Sequence, residues 1–242
     1  MTTDFPTAAP AKSPAFRWDA ADAYLFDVDS TLLYSRDDIH YNAFLSAMRQ
    51  FFGVPPNFDR VPLHGNTDLG IIRAVLRRQG VPDAEIDAKL PLMIAAMCAE
   101  VERNAAGMHP ELCPSAEEVV KRLAAAGKLL GLATGNLETI AWKKLEACGL
   151  RPYFAFGSFS DHREHRADVV RWGVDEARRR LWPEASVYVV GDTPADIEAA
   201  HAVGVPVIAV ATGIFSLEEL QSHGPDLCVR SCTELLESSS CL

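Results

Sequence analysis

Tyr24-Leu25-Phe26-Asp27-Val28-Asp29-Ser30-Thr31-Leu32 is an apolar run that stops at two aspartates spaced i, i+2 and then a pair of hydroxyl residues. Aromatic and aliphatic residues at 24–26 are what a buried strand requires, and a side-chain period of two sends Asp27 and Asp29 out on one side where the strand ends. At about 4 Å and an effective dielectric near 20, two like charges repel by roughly 4 kcal/mol. Such a pair needs a cation, a shared proton or a reaction that uses both acids. A turn carrying two solvated acids is the plainer alternative.

The stretch after this strand is helical for some seventy residues. Ile39, Ala43, Phe44, Ala47, Met48 and Phe51 recur at three and four residues, and Gly53-Val54-Pro55-Pro56 stops that helix. Asn66 or Thr67 is the expected N-cap of a second helix with Ile71, Ile72, Val75 and Leu76 on its apolar face. A third helix is expected from about Ala84 to Asn104, with a break or kink at Pro91. From Pro114 the pattern changes to alternation. Strands are expected at 128–133, 153–156, 186–190 and 207–210, separated by helices over about 115–126, through Leu145, over 167–181 and over 195–202. Alternation of this kind predicts an α/β fold, a doubly wound parallel sheet with right-handed crossovers, and the helical stretch reads as an insertion in it. The division expected is a flexible tail at 1–18, a Rossmann-like core at 19–36 and 109–242, and a helical module at 37–108.

The chain's 242 residues, 48% hydrophobic, are ample for a buried core. A formal charge of -10, with no basic stripe interleaved with aromatics, argues against nucleic acid as a lasting partner. Arg178-Arg179-Arg180 falls at a helix end, where cations suit the dipole. The cysteines at 98, 113, 148, 228, 232 and 241 form no CxxC pair and fit small buried hydrophobes in a reducing cytoplasm. Met1–Pro14 lacks the apolar core of a signal peptide, and no segment has the length to span a bilayer. A cytoplasmic protein without membrane attachment is expected.

Polar residues end successive strands: Asp27 and Asp29 after the first, Thr134 after the second, Asp192 and Asp196 after the fourth, with Arg166 opening the helix that leads to the fourth. In doubly wound sheets these ends form the ligand crevice. Three carboxylates there call for a hard divalent cation, and an all-oxygen donor set favours magnesium over zinc. A hydroxyl, free backbone N–H groups and a guanidinium are parts of an anion site. Metal, anion site and a spare carboxylate together suit phosphoryl transfer.

Asp27-Val-Asp29-Ser30-Thr31, Leu132-Ala-Thr134-Gly135-Asn136, a basic residue after the third strand, and Val190-Gly-Asp192-Thr-Pro-Ala-Asp196 resemble, in order and spacing, the four motifs of the haloacid dehalogenase-like hydrolase superfamily. The likeness covers about residues 20–213, and the helical insertion resembles that family's α-helical cap. Gly65-Asn66-Thr67-Asp68 and Gly191–Asp196 are similar to its phosphoglycolate-phosphatase-like branch. The resemblance implies a magnesium-dependent phosphatase acting on a small phosphorylated metabolite. Asp27 would become an aspartyl phosphate, and Asp29 would protonate the leaving oxygen and then activate water. Magnesium would be held by the Asp27 carboxylate, the Asp29 carbonyl and Asp192. Thr134, Gly135 and Asn136 would hold phosphoryl oxygens with Arg166, and Asp196 would stand one step back, orienting waters or Arg166.

Two positions depart from that pattern. Ser30 stands where the branch usually has Gly, and the resulting Asp-x-Asp-Ser-Thr is similar to phosphoserine phosphatases, which the rest of the chain resembles less; Arg166 stands where the superfamily usually has Lys, and Lys143 and Lys144 fall too early, in the preceding helix. A sugar-phosphate mutase uses the same two aspartates, and a binding or regulatory homologue of low activity is a reading from another class. Dehalogenation has no use for Asp29, and phosphonoacetaldehyde hydrolysis wants a cap lysine near the cleft where Lys89 is the only lysine in that module. His40, His64 and Thr67 are candidates for substrate contact, the alternatives being polar surface for the histidines and a helix cap for Thr67. His162 and His165 with Asp161 and Glu164 imitate a metal cluster, and a solvated loop accounts for them better.

Overall fold

The computed structural model describes residues 16–53 and 57–238. In chain order its elements are β1 (Ala23–Phe26), β2 (Leu33–Tyr34), α1 (Ile39–Phe52), α2 (Asp68–Arg78), α3 (Asp83–Asn104), β3 (Glu111–Leu112), α4 (Ala116–Ala125), β4 (Leu129–Ala133), α5 (Glu138–Ala147), β5 (Phe156–Ser158), α6 (Arg166–Arg180), β6 (Val187–Gly191), α7 (Pro194–Val203), β7 (Val207–Val210), α8 (Leu217–Ser222), β8 (Leu227–Val229) and α9 (Cys232–Ser238).

Six strands form one parallel sheet in the order β5-β4-β1-β6-β7-β8. β1 lies between β4 and β6, so all four of its residues are buried, and its unbroken apolar run follows from cover on both faces. Tyr24 and Phe26 point into a core shared with Val119, Val120 and Leu123 of α4 and Leu145 of α5. Ala23 and Leu25 point the other way, onto Val169, Val170 and Val174 of α6 and Ile197 of α7. The chain leaves β1 toward β4 and β5, then returns to β6 on the opposite side. The order therefore reverses around β1, and a crevice opens at the carboxyl ends of β4, β1 and β6.

A third apolar cluster joins the inserted helices. Phe44 and Met48 of α1, Ile72 and Leu76 of α2, and Met93 and Met97 of α3 pack together, and Leu137 and Ile140 at the start of α5 anchor them to the sheet side. α3 runs unbroken through Pro91. Pro91 is on the solvent face, where the carbonyl that loses its amide partner can turn to water.

Several expected boundaries move. The third main-sheet strand is Phe156–Ser158 and not 153–156, because Pro152 favours the 3-10 turn Arg151–Tyr153, while Phe154 serves the core edge-on to Phe26. Of the expected tail, residues 1–15 lie outside the described residues. Phe16, however, stacks on Tyr188 at 5.0 Å and Trp18 is buried. The two-residue strands β2 and β3, which pair as a small antiparallel ribbon beside the crevice, carry too little pattern to be read. Among the described residues no helix is long and apolar enough to cross a membrane; Cys241 lies outside them.

Candidate active site

Asp27 follows β1 directly, its backbone N–H donating to Val190 of the neighbouring β6 at 2.9 Å. Strand pairing thus sets the first acid beside the end of the strand that supplies Asp192. Asp27, Asp192 and Asp196, all buried, each offer a ligand atom within 4.8 Å of one another, and they form the only such group of metal-capable side chains among the described residues. Two of the three are open to a cation. Arg166 takes Asp27 Oδ1 at 2.7 Å and Thr31 Oγ1 donates to Asp192 Oδ1 at 3.1 Å, which leaves a second oxygen on each carboxylate. Asp196 is committed. Its Oδ2 accepts from Thr193 N and Oγ1 in a capping box at the start of α7, and its Oδ1 accepts from Arg166 Nε and Nη2 at 3.0 and 2.6 Å.

Burial, with the charges of Asp27 and Asp196, pushes Asp192 up to about 9. Burial likewise lifts Asp27 to about 6, and Arg166 holds it from going higher. Burial works against the charge of Arg166, yet Asp196 and Asp27 keep it firmly protonated. Three buried carboxylates and one guanidinium leave a deficit of positive charge, and an all-oxygen set of this geometry fits a hard divalent cation.

The second aspartate is in a separate network. Lys144 Nζ donates to Asp29 Oδ1 and Oδ2 at 2.9 and 2.7 Å and to Asn136 Oδ1 at 2.8 Å, while Asn136 Nδ2 donates to Asp29 Oδ2 at 2.7 Å and to Thr134 Oγ1 at 2.9 Å. Burial would raise Asp29, but the Lys144 ammonium, these hydrogen bonds and His40 overcome it and hold the carboxyl down to about 2. The site therefore has two cations with divided duties, Arg166 on Asp27 and Lys144 on Asp29. Lys144 falls too early in the sequence for the position that Arg166 fills, yet it joins the site, at Asp29 and not at Asp27. It sits one turn beyond Ile140 and Ala141 on the buried face of its helix, and a lysine at an apolar helical position was the signal in the sequence.

A cavity of about 260 Å³ is lined by Asp27, Asp29, Thr134, Gly135, Asn136, Arg166 and Asp192, and by His40 and His64 from the helical side. The structure thus brings these nine sequence candidates to one place. Asp196 supports the wall from behind. Thr67 is fully buried and does not line the cavity; its Oγ1 accepts from Gly70 N at 2.9 Å as the N-cap of α2 and donates to the Glu164 carbonyl at 2.6 Å. Glu164 in turn pairs with Arg73 and Arg77 of α2, so that loop clasps the helical layer. Ser30 has φ 61, a left-handed conformation that favours glycine, which gives a physical reason for Gly at this position in the branch the sequence resembles. Its carbonyl accepts a short hydrogen bond from Thr212 Oγ1.

Gly135 is a point of close approach between the sheet and the helical layer. Its carbonyl accepts from Asp68 N at 2.7 Å, and a Cβ at this position would lie 2.2 Å from the Asn66 carbonyl oxygen. Backbone on both sides cannot yield cheaply, so Gly135→Ala is expected to lose about 1–3 kcal/mol of stability by urea unfolding. Unchanged stability would mean that the two layers separate readily at this point.

A family profile described as haloacid dehalogenase-like hydrolase matches residues 21–204. The chain belongs to that family. It is 30% identical over 199 residues to a phosphoglycolate phosphatase of Mesorhizobium japonicum, covering 78% of this chain and 82% of the relative. It is 26% identical over 220 residues to the probable phosphatase IndB of Dickeya dadantii, covering 90% and 93%. Among solved structures, CbbY from Rhodobacter sphaeroides in complex with phosphate superposes with a TM-score of 0.67 at 21% identity, over 89% of this chain and 96% of that one.

Proposed function

We propose that the chain is a magnesium-dependent phosphomonoesterase that hydrolyses a small phosphorylated metabolite by way of a phosphoryl group carried on Asp27. The observation that carries this reading is the meeting of Asp27, Asp192 and Asp196 within 4.8 Å, with Arg166 held between Asp27 and Asp196. Relatives named as phosphatases support it. In this reading residues 19–36 and 109–242 are the catalytic core, and 37–108 are a cap that closes over the crevice. The five described cysteines are free thiols, which suits the cytoplasm.

Magnesium would be held by Asp27, Asp192 and the Asp29 carbonyl, and when bound it supplies charge that offsets repulsion between an incoming phosphate and the carboxylates. Thr134 with the N–H groups of Gly135 and Asn136 receives phosphoryl oxygens, and Arg166 neutralises charge on them. An Asp27 oxygen attacks phosphorus, the ester P–O bond breaks, and Asp29 delivers a proton to the departing alcohol oxygen. A phosphate dianion entering the cavity raises Asp29 by like charge, which makes the carboxyl available as an acid. Once the alcohol has left, Asp29 takes a proton from water, and that water attacks phosphorus to free Asp27. Asp196 acts by holding Arg166 in place.

Chelation of divalent metal is expected to stop phosphate release reversibly. Magnesium at about 100 times its dissociation constant is expected to stabilise the fold by about 2.7 kcal/mol, read as a rise in Tm that Asp192→Asn loses. Full turnover in excess chelator would refute the metal requirement.

A further inference from the structure

A second cavity, about 250 Å³ in volume, opens beside the catalytic one and shares Asp29, His40, Leu63, Asp68 and Ile71 with it. Its far wall is aromatic. Phe58 lies 5.8 Å from Tyr41 and 5.6 Å from Phe44, ring centre to ring centre. Tyr41 and Leu63 are 51% and 40% exposed, so two of the few large apolar side chains left open to solvent among the described residues face this one space. Apolar surface kept open inside a crevice, next to the reacting groups, is the mark of a ligand subsite.

The acidic groups around it are already hydrogen-bonded. Asp29 is held by Lys144. Asp37 accepts from the backbone N–H groups of Ile39 and His109, and Asp68 accepts from Leu137 N and lies 3.2 Å from His40 Nε2. Among the described lining residues no cation is left over to receive a carboxylate, and three aspartates would repel one. An apolar cavity of about 150 Å³ accepts benzene, so this one has room for a substituted ring.

We infer that the alcohol portion of the substrate is an uncharged aromatic group, bound between Tyr41, Phe44 and Phe58 while its phosphate is at Asp27. The inference rests on the phosphomonoesterase reading above and narrows its substrate class. It also separates this chain from a hydrolase built for a small anionic ester.

The test compares kcat/KM for benzyl phosphate, ethyl phosphate and phosphoglycolate with the full chain and magnesium. Benzyl and ethyl esters have similar leaving groups, so their ratio reports the ring. Benzyl phosphate is expected to exceed ethyl phosphate by about tenfold to a hundredfold, and phosphoglycolate is expected to be the poorest of the three. Tyr41→Ala, at a half-exposed position that the fold tolerates, is expected to lower the benzyl-to-ethyl ratio severalfold. A ratio near one, a preference for phosphoglycolate, or a ratio unmoved by Tyr41→Ala would overturn the aromatic assignment and leave the hydrolase standing. Absence of phosphate release from all three esters would overturn the hydrolase reading and this inference with it.

Discussion

Asp27→Asn is expected to lower kcat by about four orders of magnitude or more while leaving the protein folded. In the proposed mechanism the substitution removes the nucleophile and with it the covalent route, so that the rate that survives comes from binding and charge stabilisation alone. The fold should tolerate the change because the amide has the carboxylate's shape. The substitution removes one of three crowded buried acids, and Arg166 keeps its bonds to Asp196. Urea unfolding is therefore expected to stay within about 1 kcal/mol of the parent. Phosphate release and unfolding measured on the same preparation separate the two effects, and a large loss of stability would show that Asp27 is structural.

Arg166→Met is expected to damage both activity and stability. The side chain is buried and bridges Asp27 and Asp196, so its removal strands two carboxylates in a low-dielectric interior. Breaking a buried pair from one side costs about 3–5 kcal/mol, and on the proposed role of Arg166 toward the phosphoryl oxygens its loss is expected to lower kcat by about 10²–10³. Arg166→Lys restores the charge but not the fork that spans both partners, so partial recovery of stability is expected. Magnesium should rescue part of the stability of Arg166→Met, because it supplies the missing positive charge. Thermal unfolding with and without the metal reads this out; a variant as stable as the parent in chelator would contradict the bridge.

The sheet and its catalytic edge were legible because the relevant signals are local. An apolar run that must be buried on both faces ends in acids, and Asp27, Asp29, Thr134 and Asp192 each follow a strand whose boundaries the sequence marks. Arg166 at the start of α6 was legible for the same reason. Lys144 was not. Its part in the site depends on the rotation of α5, which packs Ile140 and Ala141 inward and carries the ammonium to Asp29 across 115 positions of sequence. The aromatic cavity was hidden for a related reason: Tyr41, Phe44 and Phe58 read as one more apolar helix face and a loop residue until α1 and the loop before α2 are seen to enclose a space. Thr67 could be read as cap or ligand from sequence, and only the distance to the Glu164 carbonyl shows where its hydroxyl is spent.

The most direct test of the account is whether phosphorus becomes bonded to Asp27. Acid quench during turnover of a phosphomonoester with magnesium, followed by mass analysis of the peptide that holds Asp27, should find the mass of one phosphoryl group on that residue, and none on the same peptide of Asp27→Asn. Steady phosphate release with no covalent phosphate on Asp27, or with Asp27→Asn turning over at the parent rate, would contradict it.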